Sequence, residues 1–170
     1  MASPPKQATI EDSDRVEIVG GTAVEKPAAS FAHSLAHGRL GGMLHPFNRG
    51  ASGWWICGAV HVEYERGELY RHDLAGWHRE RLIEPPREWP VRVAPDWACE
   101  IVSPNHQRAD LVDKPRVLHR ARVPHYWVVN PEEKLLLVHR WSPDGYVIVQ
   151  RAEPFEAIEL RVGELFGDDD

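Results

Sequence analysis

Short apolar runs bounded by Gly, Pro and polar residues dominate this chain, a pattern that is typical of β-strands. One run after Ser30 instead has an approximately helical spacing of apolar residues and ends at Pro46, and a second helix is predicted after residue 102, running to about Arg122. The predicted strands lie at 16–19, 22–25, 54–64, 68–76, 96–102 and 125–130, followed by a hairpin with the turn sequence SPDG.

This order of elements predicts an α/β or α+β fold, a mixed sheet with flanking helices. A helix between strands 96–102 and 125–130 favours a parallel crossover of the βαβ type. The 170 residues suffice for one domain with its own core. We expect a flexible leader at 1–14, a single domain at 15–167 and an acidic tail at 168–170.

Acidic residues outnumber basic ones, 26 to 20, and the net charge is −6. Tight nucleic-acid binding needs clustered Lys and Arg, although an enzyme that touches nucleic acid transiently is compatible with this balance. The longest apolar run, 54–60, is too short to cross a bilayer, and the N-terminus lacks a secretory signal pattern. With Cys57 and Cys99 predicted as buried free thiols, we expect a cytoplasmic protein without membrane association.

Glu100 stands in the middle of an apolar strand, where a carboxylate is costly unless a partner holds it. If the strand with Asp73 neighbours this one, the two carboxylates come close enough to repel each other unless they share a proton or a cation. Mg²⁺, which prefers oxygen ligands, is the expected cation. Lys114 follows soon after the strand and can fold back towards Glu100.

Other interpretations of these residues remain open. Glu100 and Lys114 could form a structural ion pair, and Asp73 could cap a turn. For Asp96 a role at the strand boundary is favoured over metal binding. His33 and His37, four residues apart, could bind zinc on a helix, but no H-E-x-x-H pattern supports this.

Five stretches carry a joint signal: EIVGG, HDLAGWHRERL, PDWACEIVSP, the segment from Asp110 to Lys114, and ARVPHYWVVNP. Together they resemble the Uma2 family of restriction endonucleases, within the PD-(D/E)xK nuclease superfamily. The resemblance extends from about Arg15 to Phe166. It implies a restriction-endonuclease-like core, an activity on nucleic acid, with DNA the expected substrate, and a homodimer.

The resemblance also assigns roles to residues. It implies that Asp73 and Glu100 bind Mg²⁺ or Mn²⁺ and that these two residues and Lys114 are catalytic. The usual superfamily lysine would stand at Val102, and in this family it has moved to the following helix. Two additional site residues are implied, Glu17 and His33.

Pro115 departs from the pattern, because proline disfavours a helical conformation at Lys114. The helix is therefore expected to begin near Pro115 or to bend there. Arg116, His119 and Arg120 fall at helical spacing and form a candidate basic strip, although a solvated helix face explains them equally well.

Two functions follow. The first is a metal-dependent endonuclease. The second is a catalytically degenerate nuclease fold that serves as a binding or assembly module. A cation-sized, solvent-open gap between Asp73 and Glu100 would favour the enzyme, and a closed pair under apolar residues would favour the module.

Overall fold

The computed structural model describes residues 14–104, 107–155 and 161–168, so most of the expected leader and the end of the acidic tail lie outside it. In the described residues, eight strands form one mixed sheet, which confirms the predicted fold class. The strands are β1 (Val16–Val19), β2 (Thr22–Glu25), β3 (Trp54–Glu63), β4 (Leu69–His78), β5 (Trp97–Ile101), β6 (His125–Asn130), β7 (Leu135–Ser142) and β8 (Gly145–Val149). The helices are α1 (Phe31–Leu44), α2 (Lys114–Arg120) and α3 (Val162–Leu165).

Strand β4 is the junction of the sheet, whose order is β2-β1-β4-β5-β6-β7-β8 with β3 also paired to β4. β3 follows β4 over almost its whole length, whereas β1 pairs with it only at Leu69 and β5 only from Leu74 to Gly76. β5 and β6 are parallel and are connected through α2, as predicted. The other strand pairs are antiparallel.

The two faces of the sheet bury different helices. Leu40 and Leu44 of α1 pack with Trp97 and Trp127 on one face. Because side chains alternate along a strand, the neighbours of these tryptophans in β5 and β6 point to the other face, where they meet Leu118 of α2. Two helix layers therefore enclose the central strands.

Strand β4 loses its regular alternation at Asp73. Tyr70 and Ala75 belong to the same core cluster although they are five residues apart, and the pairing with β3 is interrupted where Ala59 faces Asp73. Ala59 has a φ of 54°, in the left-handed region that a residue with a Cβ rarely adopts. The interruption allows consecutive side chains around Asp73 to reach the same site.

Helix α2 begins at Lys114, next to Pro115 as expected, but it continues an earlier helical turn. A π-helical turn, Ala109–Asp113, runs directly into α2, and Lys114 keeps helical dihedral angles before the proline. The amide of Lys114 bonds to the carbonyl of Ala109, five residues back. This wider turn accommodates the proline inside a helical segment and directs Lys114 towards the sheet.

The prediction for the cysteines is half correct. Cys99 is buried, but Cys57 is exposed. It lies in a part of β3 that, among the described residues, has a paired strand on one side only, so an apolar run there does not imply full burial.

Candidate active site

The site lies where β1 and β5 separate along β4. Between Leu69 and Leu74, β4 has no strand neighbour on that side in the part of the chain that the structure describes. Charged side chains replace the missing strand. The amide of Arg71 donates to Glu17 Oε1 at 2.8 Å, and its carbonyl accepts from Lys26 Nζ at 2.9 Å. These charges therefore satisfy backbone groups that would otherwise lack partners.

Asp73 stands at the end of this gap. Its Oδ2 accepts a hydrogen bond from the amide of Ile101 at 2.7 Å and lies 3.4 Å from Nε2 of His33. Its backbone carbonyl lies 3.0 Å from Nε2 of His37. The two histidines are one turn apart on α1 and hold the same residue. Gly58 permits this approach, because a Cβ there would come within 2.9 Å of His37 Nε2.

The two carboxylate oxygens of Glu100 contact different partners. Oε1 lies 2.6 Å from Nδ1 of His72 and 3.2 Å from Nζ of Lys114. Oε2 accepts from Nζ of Lys26 at 2.9 Å. The other ring nitrogen of His72 lies 2.7 Å from the hydroxyl of Tyr64. Burial alone would raise the pKa of Glu100, but the two ammonium groups and the imidazole outweigh it and hold that pKa well below its usual range.

Lys114 is sealed beneath the site, with no exposed surface. Besides Glu100, its Nζ contacts Glu17 Oε1 at 2.9 Å and Asp110 Oδ1 at 3.0 Å. Burial opposes its charge, but these carboxyl groups raise the pKa of Lys114 well above its usual value. Burial also raises the pKa of Asp110 to about 7, despite the nearby ammonium. Glu17 Oε2 is a buried oxygen without a hydrogen-bond partner.

Lys26, directly after β2, places its ammonium among three oxygens. Nζ lies 3.1 Å from Asp73 Oδ1, 2.9 Å from Glu100 Oε2 and 2.9 Å from the carbonyl of Arg71. Burial opposes the charge of Lys26, but the carboxylates, Glu100 foremost, raise its pKa above the usual value. The pKa of Asp73 is lowered because Lys26 and the contact with His33 outweigh the cost of burial. The ammonium of Lys26 thus forms ion pairs with both carboxylates, Asp73 and Glu100.

A pocket of about 150 Å³, lined by both polar and apolar residues, leads from the surface to this end of the site. Lys26 and Asp73 line it and keep 8% and 4% of their surface exposed, whereas Lys114 lies behind them. Three further basic side chains form part of the wall: Arg15, His33 and Arg71. The pocket therefore presents basic groups around an acidic floor, a combination that fits a phosphate group and a cation.

Comparison with known proteins now identifies the family. The sequence model of the Uma2 family, described as "Putative restriction endonuclease", matches residues 5–165, almost the whole chain. The chain belongs to the Uma2 family. A comparison with curated proteins finds no match.

Among solved structures, this Uma2 protein is similar to one described as a "putative nuclease belonging to DUF820" from Anabaena variabilis ATCC 29413. The two share 17% sequence identity over 89% of each chain, with a TM-score of 0.74. The likeness confirms the nuclease-like fold. Family and fold together support a nuclease. None of the described helices is long and apolar enough to cross a membrane.

The structure brings together all five residues that the sequence singled out for the site. The sequence predicted Asp73, Glu100, Lys114, Glu17 and His33, and each contacts at least one other group of this cluster. Their catalytic and metal-binding roles stay predictions.

Sequence reasoning missed several members of the site, among them Asp110, His72 and Lys26. In a regular strand His72 would point to the face opposite Asp73, but β4 is irregular there, and His72 holds Glu100. Lys26 carried no signal, because a lysine before a proline at the end of a short strand resembles an ordinary surface residue.

Two of the other candidates lie elsewhere. Asp96 accepts a hydrogen bond from the amide of His78 and pairs with Arg81, which supports the role at a strand boundary. His119 does not extend a basic strip, because its ring stacks on Trp141 and bonds to the carbonyl of Ser142.

The donor groups of this site fit Mg²⁺ or Mn²⁺ on one condition. No three His, Cys, Asp or Glu side chains within residues 14–104, 107–155 and 161–168 form a ready group of metal ligands. Yet the three oxygens around the ammonium of Lys26 are two carboxylates and one carbonyl, the hard ligands that Mg²⁺ takes together with water. The unpartnered Glu17 Oε2 is a further acceptor nearby. The condition is that Lys26 gives up this position.

Proposed function

We propose that this Uma2 protein is a metal-dependent endonuclease that hydrolyses phosphodiester bonds in nucleic acid, with DNA as the expected substrate. One observation carries the proposal: in a member of this family, Asp73 and Glu100 share the ammonium of Lys26 beside a pocket whose wall includes basic residues. A purely structural ion pair needs no such pocket. The lowered pKa values of both carboxyl groups keep them ionised at neutral pH, as metal ligands must be.

Asp73 and Glu100 are the proposed ligands of Mg²⁺ or Mn²⁺, with Glu17 as an additional acceptor. When bound, the metal would activate water and neutralise charge on the phosphoryl group. His33 and Arg71 on the pocket wall are placed to orient the phosphate. Because Lys114 is fully buried, we assign it the positioning of Glu100 rather than a direct contact with water or phosphate.

The alternative is the degenerate nuclease fold acting as a binding or assembly module. The observation in its favour is that Lys26 already neutralises both carboxylates, as it would in a site that needs no metal. Under this alternative the cluster stabilises the fold and nothing is cleaved.

A homodimer and a cytoplasmic location complete the proposal. The support for a dimer is apolar surface at the edge of the sheet, where Ile148 of β8 is 64% exposed. Light scattering at high micromolar concentration tests this, and a monomeric mass would contradict it.

The experiment that tests the function is a cleavage assay on single- and double-stranded DNA and RNA, with Mg²⁺, with Mn²⁺ and with a chelator. The Asp73→Asn and Glu100→Gln variants should lose cleavage, because each removes a proposed metal ligand. Glu84→Gln is the control: this exposed carboxylate, paired with Arg87 on the surface, is outside the site and its variant should cleave normally. Cleavage that persists in chelator or in both site variants would contradict the proposal.

A further inference from the structure

Lys26, at the entrance of the site, does not have the solvent-exposed side chain of an ordinary surface lysine. Lys26 sends its ammonium into the gap between β1 and β5, where it keeps only 8% of its surface exposed. Its three contacts at 2.9–3.1 Å use all three hydrogens of the ammonium, and all are made to oxygens. The ammonium thus has the all-oxygen environment that a small, hard cation would have.

The backbone helps to fix this arrangement. The amide of Lys26 donates to the carbonyl of Arg15 at 2.9 Å, so the residue extends the pairing of the β1–β2 hairpin. The long side chain then runs along the unpaired edge of β4, past the carbonyl of Arg71, to Glu100 on β5. Without Lys26, Asp73 Oδ1 and Glu100 Oε2 would have no cation between them and would repel, although Lys114 still contacts Oε1 of Glu100.

We propose that Lys26 is a displaceable internal counter-ion, whose ammonium occupies the divalent-cation position in the metal-free protein and competes with the metal for the same oxygens. This inference rests on the proposed function. The ammonium and the metal both need Asp73 Oδ1 and Glu100 Oε2, so they bind in alternation. The adjoining pocket, which Lys26 already lines, is the space into which the side chain withdraws.

Lys114 cannot play this part. It is also an ammonium bound to Glu100, but it contacts Oε1, has no exposed surface and does not line the pocket. A metal that enters from the pocket meets Lys26 first. The competition is therefore specific to one of the two lysines.

The test compares Mn²⁺ binding by the whole protein and by two variants, measured by calorimetry and by the electron paramagnetic resonance signal of free Mn²⁺. Lys26→Met removes the competing charge and should tighten Mn²⁺ binding by about tenfold or more, within the usual range of coupling between two sites. Lys134→Met is the matched control, because Lys134 pairs with Asp168 on the surface, and its affinity should equal that of the wild type. Unchanged or weaker binding by Lys26→Met would overturn the inference.

A second measurement uses the wild type alone and does not depend on the folding of a variant. Because metal binding should release the ammonium, the labelling rate of Lys26 by an amine-reactive reagent, followed by mass spectrometry, should rise by about fivefold or more at saturating Mn²⁺. Labelling of Lys134 should not change. If Mn²⁺ leaves the labelling of Lys26 unchanged or protects it, the competition does not exist.

The cleavage assay separates this inference from the proposed function. If Lys26→Met binds Mn²⁺ more tightly than the wild type but the wild type cleaves no nucleic acid, the result would support the counter-ion and reject the nuclease. Metal-dependent cleavage by a protein whose affinity is insensitive to Lys26→Met would support the nuclease and reject the counter-ion. Failure of both proteins to bind Mn²⁺ at millimolar concentration rejects the counter-ion as well.

Discussion

The two ends of the buried cluster have the same chemistry and opposite surroundings. At one end Lys26 binds Oε2 of Glu100 beside a pocket, and at the other Lys114 binds Oε1 of the same carboxylate with no access to solvent. Asp73 completes the first end, and Glu17 and Asp110, which contact Lys114, complete the second, although Asp110 also borders the pocket. One carboxylate therefore links an open half-site to a closed one.

This difference in access to solvent indicates that one end can bind an incoming cation, whereas the other holds Glu100 in place. A buried charge whose partner is removed has no substitute, whereas a charge beside a pocket can take water or an incoming cation in its place. We therefore interpret the Lys114 end as the foundation that fixes Glu100, and the Lys26 end as the part of the cluster that can exchange its cation. The predictions below test this division.

The largest effect is expected at the closed end. Lys114→Met leaves buried carboxyl groups without their common cation, so it should lower the free energy of unfolding by about 3–5 kcal/mol. Urea unfolding followed by circular dichroism measures this. Lys134→Met, which breaks only an exposed pair, should cost about 0–1 kcal/mol. Equal losses for the two variants would show that the closed end does not support the fold.

A smaller effect, and one that metal reverses, is expected at the open end. Lys26→Met loses hydrogen bonds to charged groups and should cost about 1.5–3 kcal/mol without metal, less than Lys114→Met because water from the pocket can solvate the carboxylates. Saturating Mn²⁺ should restore the lost stability in this variant but not in Lys114→Met. Thermal melts with and without Mn²⁺ measure both, and a loss that is independent of metal would remove the distinction between the ends.

The elements of the fold could be predicted from the sequence because their signals are local. The first hairpin and β6 have the predicted bounds, and β3, β4 and β5 end within two residues of them. Alternation and turn residues are enough for this. Asp73 and Glu100 could also be singled out, because acidic residues in apolar strands are conspicuous, and Lys114 through the family resemblance.

The features of the site that could not be predicted depend on contacts between segments that are distant in the sequence. The position of Lys26 follows from the splitting of β1 and β5 along β4, which no local pattern encodes. His72 was misplaced because alternation assumes a regular strand, whereas the interruption opposite Ala59 is stabilised by tertiary contacts such as that of His37 with Asp73. The π-helical turn before Lys114 is likewise invisible to a rule that looks only at the residue preceding proline.

The closed end should also give stability a pH dependence of definite sign. The pKa of Asp110 is raised to about 7 in the folded protein by burial, and it is about 3.9 in an unfolded chain. Between these values the folded state holds a proton that the unfolded state releases, so this residue's contribution to stability falls as the pH rises from about 4 to 7. The slope for one such proton is at most about 1.4 kcal/mol per pH unit.

Unfolding of wild type and Asp110→Asn by urea across that range isolates this contribution. The variant, which stays neutral, should gain stability relative to the wild type as the pH rises through the window, and the difference should level off above it. Asp113→Asn is the control, because this residue is only partly buried and is the last residue of the same π-helical turn. A pH-independent difference between wild type and Asp110→Asn would contradict the assignment.

The smallest effect concerns the hydrogen-bonded chain behind the shared carboxylate, Tyr64–His72–Glu100. Nδ1 of His72 must donate to the ionised Glu100, so in the neutral imidazole Nε2 accepts from the hydroxyl of Tyr64. Tyr64→Phe removes this last bond and should cost about 1 kcal/mol of stability. If the chain orients Glu100 for a metal, Mn²⁺ affinity should also fall, by about tenfold, as it does when groups behind metal ligands are removed. Tyr146→Phe is the matched control: its hydroxyl bonds to the carbonyl of Val123 at 2.7 Å, so its loss should cost similar stability but leave Mn²⁺ affinity unchanged. Equal Mn²⁺ affinities for the two variants would mean that His72 only fills the core and that Glu100 is held by the lysines alone.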